Sequence, residues 1–435
     1  MRKNNAMGLW DMSNMIHCSF FIFFFGGLAT LSFYRYNNQE AGFRIIKVTL
    51  TNSTTNAIAN NTLTNTRVFD HETRLTIKPT SVRRTCDLFS GRWVHDNSSR
   101  YPLYKEHECP NLEDTFACQM YGRKDSKYLQ WRWQPHGCDF PRFDGKSVVE
   151  RLRGRRLLFV GDSLNRNQWM SMVCMLRSSI PGVKLEGGAL NGILHTFRAI
   201  DYNISIDFYW APMLVESNGD IPSDHHRENR FVRIKAIEEK ARHWVDADVL
   251  IFNSYHWWRL PGVKLSKSVG SGSSLDDPNQ EYEEMDSLRA YKLALRTWSK
   301  WAYSHVDTSK TKLFFMGATA THSRLGKNQG NCYGETEPVL DDDVFWESGT
   351  NLQMLNILES TLNKLKSNGV NVQLINVTQL TQCRKDGHTT VYRKYWRPLS
   401  ELQKKNPEKA ADCSHWCLPG VPDIWNELLL AYILR

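Results

Sequence analysis

From residue 155 onward, short apolar runs alternate with longer segments that carry apolar residues at helical spacing. Strands covered on both faces are almost continuously apolar, so buried strands are predicted at 157–162, 249–254, 312–317 and 372–377. Helical periodicity predicts helices at 165–177, 230–245, 286–305, 351–367 and 423–434. This alternation predicts an α/β fold of three layers, in which a mostly parallel sheet has helices on both faces.

Upstream of this region the pattern changes three times. Residues 86–150 contain four cysteines and three tryptophans with little helical periodicity, which predicts a smaller lobe of loops and short strands held by disulfides. Residues 35–85 are rich in Thr and Asn and predict an extended stem. Residues 16–34 are almost entirely apolar and predict a membrane-spanning signal anchor behind a cytosolic tail at 1–15. A cleaved signal peptide is the rival interpretation, because the run is short.

Cysteine usage indicates an oxidising compartment for residues 86–435, the predicted catalytic domain. The chain has ten cysteines. Cys413 and Cys417 are spaced like metal ligands, but no second close pair accompanies them, so disulfides explain them better and no metal is expected. Glycosylation acceptors at five positions agree with a luminal location: Asn52, Asn60, Asn97, Asn203 and Asn376.

Charge and aromatic content narrow the choice of partner. The formal charge of +9 suits an acidic polymer, a membrane surface or nucleic acid. Nucleic acid is not expected, because the chain has no run of five or more Lys and Arg. The 15 tryptophans offer rings on which the C–H faces of sugars stack, although most tryptophans in any protein are core residues.

Two distant segments carry groups for acyl transfer. Asp412 precedes His415 by three residues, which allows the carboxylate to orient and charge-stabilise the imidazole. Ser163 follows the first predicted strand, where a sheet of this class places its functional groups. The serine hydroxyl either caps the helix or is a nucleophile that His415 activates as its base. The downstream Asp412–His415 pair favours the second interpretation. Asp162 is expected to cap the helix.

Other histidines also compete for the role of base. His415 is favoured over them because Asp412 is suitably placed and cysteines flank the segment on both sides. An Asp-x-His pair at 386–388 lies in a polar loop without this constraint. The competing histidines are His195, His256, His322 and His388.

The motifs in residues 86–435 resemble those of the plant trichome birefringence-like family of polysaccharide O-acetyltransferases, which are related to GDSL/SGNH esterases. The segments that carry the resemblance are CDLFSGRWV, WRWQPHGCDFPRF, FVGDSLNRNQW, FNSYHWW, GNCYGET and DCSHWCLPGVPDIWNE. It implies an SGNH-like fold with Ser163 as nucleophile, His415 as base and Asp412 as orienting acid. It also implies that Asn253 binds the oxyanion, with a contribution from Arg166 or Asn167.

The same resemblance implies further features of the protein. Four disulfides are implied, Cys86–Cys138, Cys109–Cys174, Cys118–Cys417 and Cys332–Cys413, which leave Cys18 and Cys383 outside the pairs. The segment MGATATH (316–322) departs from the family pattern, so no role for Thr321 or His322 is expected. Xylan is the implied acceptor, with xyloglucan, mannan and pectin as alternatives, and acetyl-CoA is the default donor. A single-pass type II protein of the Golgi membrane is expected. An acetyl-esterase with the same triad, or a non-catalytic wall-polysaccharide binder, is the rival function.

Overall fold

The computed structural model describes residues 86–434, except for 99, 181, 183, 191, 225–228, 261, 267–274, 276–280, 324–329, 341–348 and 396–397. The predicted tail, membrane anchor and stem, with Asn52, Asn60 and Cys18, lie outside these residues and stay predictions. Within the described ranges, none of the helices combines the length and apolar character that a membrane crossing requires.

The described residues form fifteen strands and eight α-helices. The strands are β1 Gly91–His95, β2 Trp131–Pro135, β3 Arg156–Gly161, β4 Leu185–Leu190, β5 Leu194–Ala199, β6 Ile204–Trp210, β7 Glu216–Ser217, β8 Arg230–Arg233, β9 Val249–Phe252, β10 Val263–Ser266, β11 Tyr282–Met285, β12 Lys312–Met316, β13 Val372–Ile375, β14 His388–Thr390 and β15 Asp412–Trp416. The helices are α1 Gly145–Leu152, α2 Ser163–Ser179, α3 Glu238–Ala241, α4 Ser287–His305, α5 Leu352–Ser367, α6 Thr378–Gln382, α7 Glu401–Lys405 and α8 Val421–Ile433.

The central sheet has the strand order β13-β12-β9-β3-β6-β5-β4. The four predicted strands are confirmed as β3, β9, β12 and β13, which run parallel to one another. β6 adds a further parallel strand beside β3, whereas β5 and β4 pair antiparallel at the edge. The α/β prediction is therefore confirmed, with an antiparallel edge that the sequence patterns did not reveal.

Successive side chains of each strand point to opposite faces of this sheet, and helices pack against both faces. Phe208 of β6 lies in register with Phe159 and Ile251, and its ring packs 5.7 Å from that of Trp169 in α2. Phe252 follows Ile251 and so points to the other face, where its ring lies 5.2 Å from Trp298 of α4. α8 packs beside α2 and α5 packs beside α4, which completes the predicted three layers.

Four of the five predicted helices are confirmed, as α2, α4, α5 and α8, but the helix predicted at 230–245 is wrong. That segment instead begins with strand β8, which pairs parallel with β10 and antiparallel with β7. The buried Arg233 of β8 forms an ion pair with Glu216 at 2.5 Å. Pairing with distant strands overrides the local helical periodicity, and only the short helix α3 remains of it.

The disulfide-held region at 86–150 has the predicted loops and short strands. β1 and β2 pair antiparallel, and the indole of Trp93 donates a hydrogen bond of 2.8 Å to the carbonyl of Leu380. Trp93 and Trp133 belong to the same hydrophobic core as the central sheet. All four implied disulfides are present, Cys86–Cys138, Cys109–Cys174, Cys118–Cys417 and Cys332–Cys413.

Three of the predicted glycosylation acceptors lie among the described residues. Asn97 and Asn203 are exposed, and Asn203 adopts a left-handed conformation with φ 52° at the end of a single helical turn. Asn376 is half-buried, and its side-chain oxygen accepts a hydrogen bond of 3.2 Å from the backbone of Thr378. Glycan attachment at these positions stays a prediction.

Candidate active site

Ser163 is the first residue of α2 and directly follows the sharp turn at the end of β3. The carboxylate of Asp162 caps the helix by accepting a hydrogen bond of 2.9 Å from the backbone of Leu164. The prediction that Asp162 caps the helix is confirmed, and Ser163 is therefore not its cap. Gly161 permits the close approach of the Asn253 backbone, because a Cβ there would lie 2.3 Å from the carbonyl oxygen of Asn253.

Ser163, His415 and Asp412 form a continuous chain of hydrogen bonds. The His415 Nε2 lies 2.8 Å from the Ser163 Oγ, and the His415 Nδ1 lies 2.7 Å from the Asp412 Oδ2. Because a carboxylate only accepts, Nδ1 carries the imidazole proton and Nε2 is left to accept from the serine hydroxyl. This is the tautomer that a general base for Ser163 requires.

Local geometry orients Asp412 as well as His415. The Asp412 Oδ1 accepts hydrogen bonds from the backbone of Ser414 at 3.0 Å and of His415 at 3.1 Å. Both residues lie on β15, whose antiparallel partner is β14. Hydrogen bonds within the short segment from Asp412 to His415 therefore hold it around its own carboxylate.

Disulfides hold β15 at both ends. Cys413 is bonded to Cys332, and Cys417 is bonded to Cys118 of the N-terminal region. These disulfides explain the spacing that resembled a pair of metal ligands. Asn167 of α2 adds a third attachment, because its side chain accepts from the Trp416 backbone N–H at 2.9 Å and donates to the Trp416 carbonyl at 3.2 Å. The loop is thus attached to the helix that carries Ser163.

The charge on Asp412 is stabilised within a mostly buried site. Burial opposes ionisation, but the His415 charge and hydrogen bond, followed by the charge of Arg393, hold the pKa of Asp412 well below its ordinary value. The Arg393 guanidinium donates to the same oxygen, Oδ2, that faces His415. In contrast, burial raises the pKa of Asp162 to about 6. Asp412 therefore stays ionised beside His415 even at acidic pH.

The residues expected at the oxyanion have different surroundings. Asn253 directly follows β9 beside Gly161, and within the described residues its side-chain oxygen has no hydrogen-bond partner. Arg166 forms an ion pair of 2.7 Å with Glu113. Both polar atoms of the Asn167 side chain are hydrogen-bonded to the Trp416 backbone, so Asn167 positions β15. Asn253, at the end of β9, remains the candidate for binding the oxyanion.

Within the described residues, His415 alone among the histidines is hydrogen-bonded to Ser163, and burial lowers the pKa of His256 to about 3. His322 and His388 form a buried pair, with 2.7 Å between the His322 Nδ1 and the His388 Nε2. The His388 Nδ1 lies 3.0 Å from the His415 carbonyl, and the His388 ring stacks on Trp416 at 3.9 Å. Burial lowers the pKa of His322 to about 4 and that of His388 well below its ordinary value. This pair contacts β15 at the His415 carbonyl and the Trp416 ring, and so helps to position His415. His195 packs on Trp169.

The aromatic residues after Asn253 are core residues. Tyr255, Trp257 and Trp258 have at most 7% of their surface exposed, so they do not form the walls of a sugar-binding groove. The indole of Trp258 donates to the hydroxyl of Ser254 at 2.9 Å. Of the two interpretations that the sequence left open for its tryptophans, core packing is the one observed for Trp257 and Trp258.

Three residues beside the triad were missed in the sequence. Arg393 contacts Asp412, Phe116 lies 6.1 Å from His415 between ring centroids, and Glu113 holds Arg166. Phe116 and Glu113 belong to the N-terminal region, which therefore covers one side of the site. No spacing links these residues to Ser163 or His415 in the sequence, so no local signal could have revealed them.

Family comparisons agree with this arrangement. Residues 140–432 match the model of the PC-Esterase family, described as the GDSL/SGNH-like acyl-esterase family found in Pmr5 and Cas1p, and residues 84–139 match the PMR5 N-terminal domain. The chain is 50% identical to protein trichome birefringence-like 34 of Arabidopsis thaliana, over 81% of this chain and 85% of that protein. It is 46% identical to xylan O-acetyltransferase 14 of Oryza sativa subsp. japonica, over 80% of this chain and 77% of that protein. The chain therefore belongs to the PC-esterase family of GDSL/SGNH-like acyl-esterases.

Proposed function

We propose that the protein is an O-acetyltransferase that moves an acetyl group through an acyl-serine onto hydroxyls of a cell-wall polysaccharide. The observation that carries this proposal is the hydrogen-bonded chain from Ser163 through His415 to Asp412. Membership of an acyl-esterase family supports the acyl chemistry. Relatives named xylan O-acetyltransferases support xylan as the acceptor. We propose the 2-O or 3-O hydroxyls of its xylosyl units as the positions that are acetylated.

The first half-reaction acylates Ser163. His415 accepts the hydroxyl proton while the Ser163 Oγ forms a bond to the acetyl carbonyl carbon, and the imidazolium that results is stabilised by Asp412. The negative charge on the carbonyl oxygen is stabilised by the backbone amide of Ser163 at the start of α2 and by the side chain of Asn253. The bond to the leaving group then breaks, and His415 returns the proton to that group.

The second half-reaction repeats these steps with a sugar hydroxyl in place of Ser163. His415 removes the hydroxyl proton, the sugar oxygen forms a bond to the acetyl carbon, and the bond to Ser163 breaks as the serine recovers its proton. We propose acetyl-CoA as the donor, for which the leaving group is the CoA thiolate. Whatever its identity, an acyl donor is required, because the acetyl group that the protein transfers has to come from another molecule.

The decisive experiment incubates the full chain with acetyl-CoA and unacetylated oligosaccharides of xylan, xyloglucan, mannan and pectin. The expected result is a mass gain of one acetyl group on the xylan oligosaccharide, and none with Ser163→Ala. Without acceptor, peptide mass spectrometry should find the acetyl group on Ser163. Absence of a mass gain on every acceptor would refute the transferase.

An esterase with the same triad is the alternative that the family description favours. It predicts release of acetate from an acetylated oligosaccharide, faster than transfer to an added acceptor. Acetate and acetylated product are measured in the same reaction. Both functions depend on Ser163, but in the esterase water attacks the acyl-serine, whereas in the transferase a sugar hydroxyl does.

We further propose that residues 16–34 anchor the protein in the Golgi membrane as a single-pass type II protein with residues 35–435 in the lumen. The four disulfides support an oxidising compartment for the folded domain. Protease treatment of sealed Golgi vesicles should leave the domain intact and remove a tag placed before residue 16. Digestion of the domain in sealed vesicles would refute this orientation.

A further inference from the structure

The helix pair α4–α5 on one face of the sheet carries positive charge that is almost unopposed. α4 contains four Lys and Arg residues and no Asp or Glu, and α5 contains two Lys and a single Glu. Elsewhere on the described surface, exposed cations commonly lie within ion-pair distance of carboxylates. Examples are Arg153–Glu150, Arg242–Glu239, Lys310–Asp307 and Lys404–Glu401.

A groove of about 620 Å³ runs between these two helices. It is lined by Lys292, Arg296 and Lys300 of α4 and by Lys364 of α5. All four side chains are exposed, and within the described residues none of them lies in an ion pair. Among the residues that the structure describes, no Asp or Glu lines the groove. A concave surface with four unpaired cations favours an anionic occupant.

The spacing of the cations indicates an extended occupant. Lys292, Arg296 and Lys300 are successive members of one i, i+4 row, so they are about 6 Å apart and span about 12 Å along the helix. A single small anion would contact one or two of them. A polymer with anionic groups along its length contacts the whole row.

Neutral groups in the groove match the hydroxyls of a sugar chain. Side-chain hydroxyl and amide groups line the groove beside the cations, together with apolar side chains that can pack against the C–H faces of a sugar. Tyr303 of α4, also in the lining, is 59% exposed and offers a ring for stacking. A bilayer surface is flat and would contact the outer ridges of the helices rather than the groove between them. The polar neutral lining residues are Ser299, Asn356, Ser360, Thr361 and Asn368.

We propose that the groove between α4 and α5 binds a polysaccharide that bears carboxylates, such as one containing uronic acid units. No residue of the Ser163–His415–Asp412 chain lines the groove, so binding there leaves the catalytic serine accessible. This binding is separate from acetyl transfer and does not depend on it. A protein with Ser163→Ala binds the acidic polysaccharide as the unaltered protein does.

The experiment measures binding of the full chain carrying Ser163→Ala to oligogalacturonate and to xylan oligosaccharides with glucuronic acid side groups. Neutral xylo-oligosaccharides of equal length and vesicles containing phosphatidylserine are the comparison ligands. The groove variant is Lys292→Gln/Arg296→Gln/Lys300→Gln. The matched control, Arg242→Gln/Lys310→Gln/Lys404→Gln, removes the same charge from cations that are already paired with carboxylates.

The groove variant is expected to weaken binding of the acidic oligosaccharides about tenfold, since each exposed charge contact contributes roughly a factor of two to three, and the control variant less than about twofold. Binding should also weaken as salt rises. Equal losses in both variants would show that only net charge matters and would overturn the proposal. An equal loss of neutral xylo-oligosaccharide binding in the groove variant, or groove-dependent binding of vesicles without binding of the acidic glycans, would also overturn it.

Discussion

Replacement of Asp412 by asparagine tests the assignment of the catalytic acid, because four hydrogen bonds converge on this carboxylate. Oδ1 accepts from the backbones of Ser414 and His415, and Oδ2 accepts from the His415 ring and from Arg393. A carboxylate accepts on both oxygens, whereas an amide accepts only on one. The two backbone N–H groups cannot reorient, so in Asp412→Asn the amide oxygen should take the Oδ1 position and the NH₂ group the Oδ2 position.

This orientation of the amide would reverse the tautomer of His415. The NH₂ group donates to Nδ1, so the imidazole proton moves to Nε2, which faces the Ser163 hydroxyl and can no longer accept from it. We expect kcat near neutral pH to fall by a factor on the order of 10³ to 10⁴, or about 4 to 5.5 kcal/mol of transition-state stabilisation. The NH₂ group also faces Arg393, so the free energy of unfolding should fall by about 3 to 5 kcal/mol.

The assay is acetyl transfer to a xylan oligosaccharide, with unfolding by denaturant measured on the same samples. Asp307→Asn is the matched control, because Asp307 also pairs with a cation, Lys310 at 3.3 Å, but at an exposed position before β12, at the edge of the sheet opposite Ser163. Its kcat should stay within about twofold of the unaltered protein, as expected for an exposed ion pair. A folded Asp412→Asn protein with kcat within about tenfold of the unaltered protein would refute the tautomer assignment.

Arg393→Gln should lower the free energy of unfolding by about 3 kcal/mol, because it removes one partner of a mostly buried ion pair; an unchanged denaturation midpoint would contradict this. Burial raises the pKa of Glu427 to about 8, so its contribution to stability is full below about pH 4 and is lost as the pH rises through about 8. The variant Glu427→Gln still accepts the hydrogen bond from the Tyr101 hydroxyl but does not titrate. Thermal unfolding should therefore show that the variant loses less stability between pH 5 and 8 than the unaltered protein does, by a few kcal/mol. Identical pH profiles would show that this carboxyl is not responsible. Cys332→Ser/Cys413→Ser should cost about 2 to 5 kcal/mol of stability and lower kcat, because β15 loses one of its two disulfides; unaltered kcat would show that the remaining attachments suffice.

Sequence patterns predicted the elements that are long or continuously apolar. The helices α2, α4, α5 and α8 carry several turns of apolar periodicity, and β3, β9, β12 and β13 are buried on both faces, so local composition reflects the final environment. β6 and its antiparallel neighbours were missed, because their segments mix polar and apolar residues. The segment at 230–245 was misassigned because β8 is stabilised by pairing with β7 and β10, which its own residues do not encode.

The sequence by itself determined the relation between Asp412 and His415, because three residues of a short segment suffice to bring a carboxylate to an imidazole. It also determined that Ser163 follows a buried strand. Only the tertiary structure decided that His415 meets Ser163 across 252 residues, that Arg393 shares the carboxylate, and that the cations of α4 face a groove against α5. These contacts depend on the packing of distant elements around one core, and such packing leaves no periodicity or spacing in the chain.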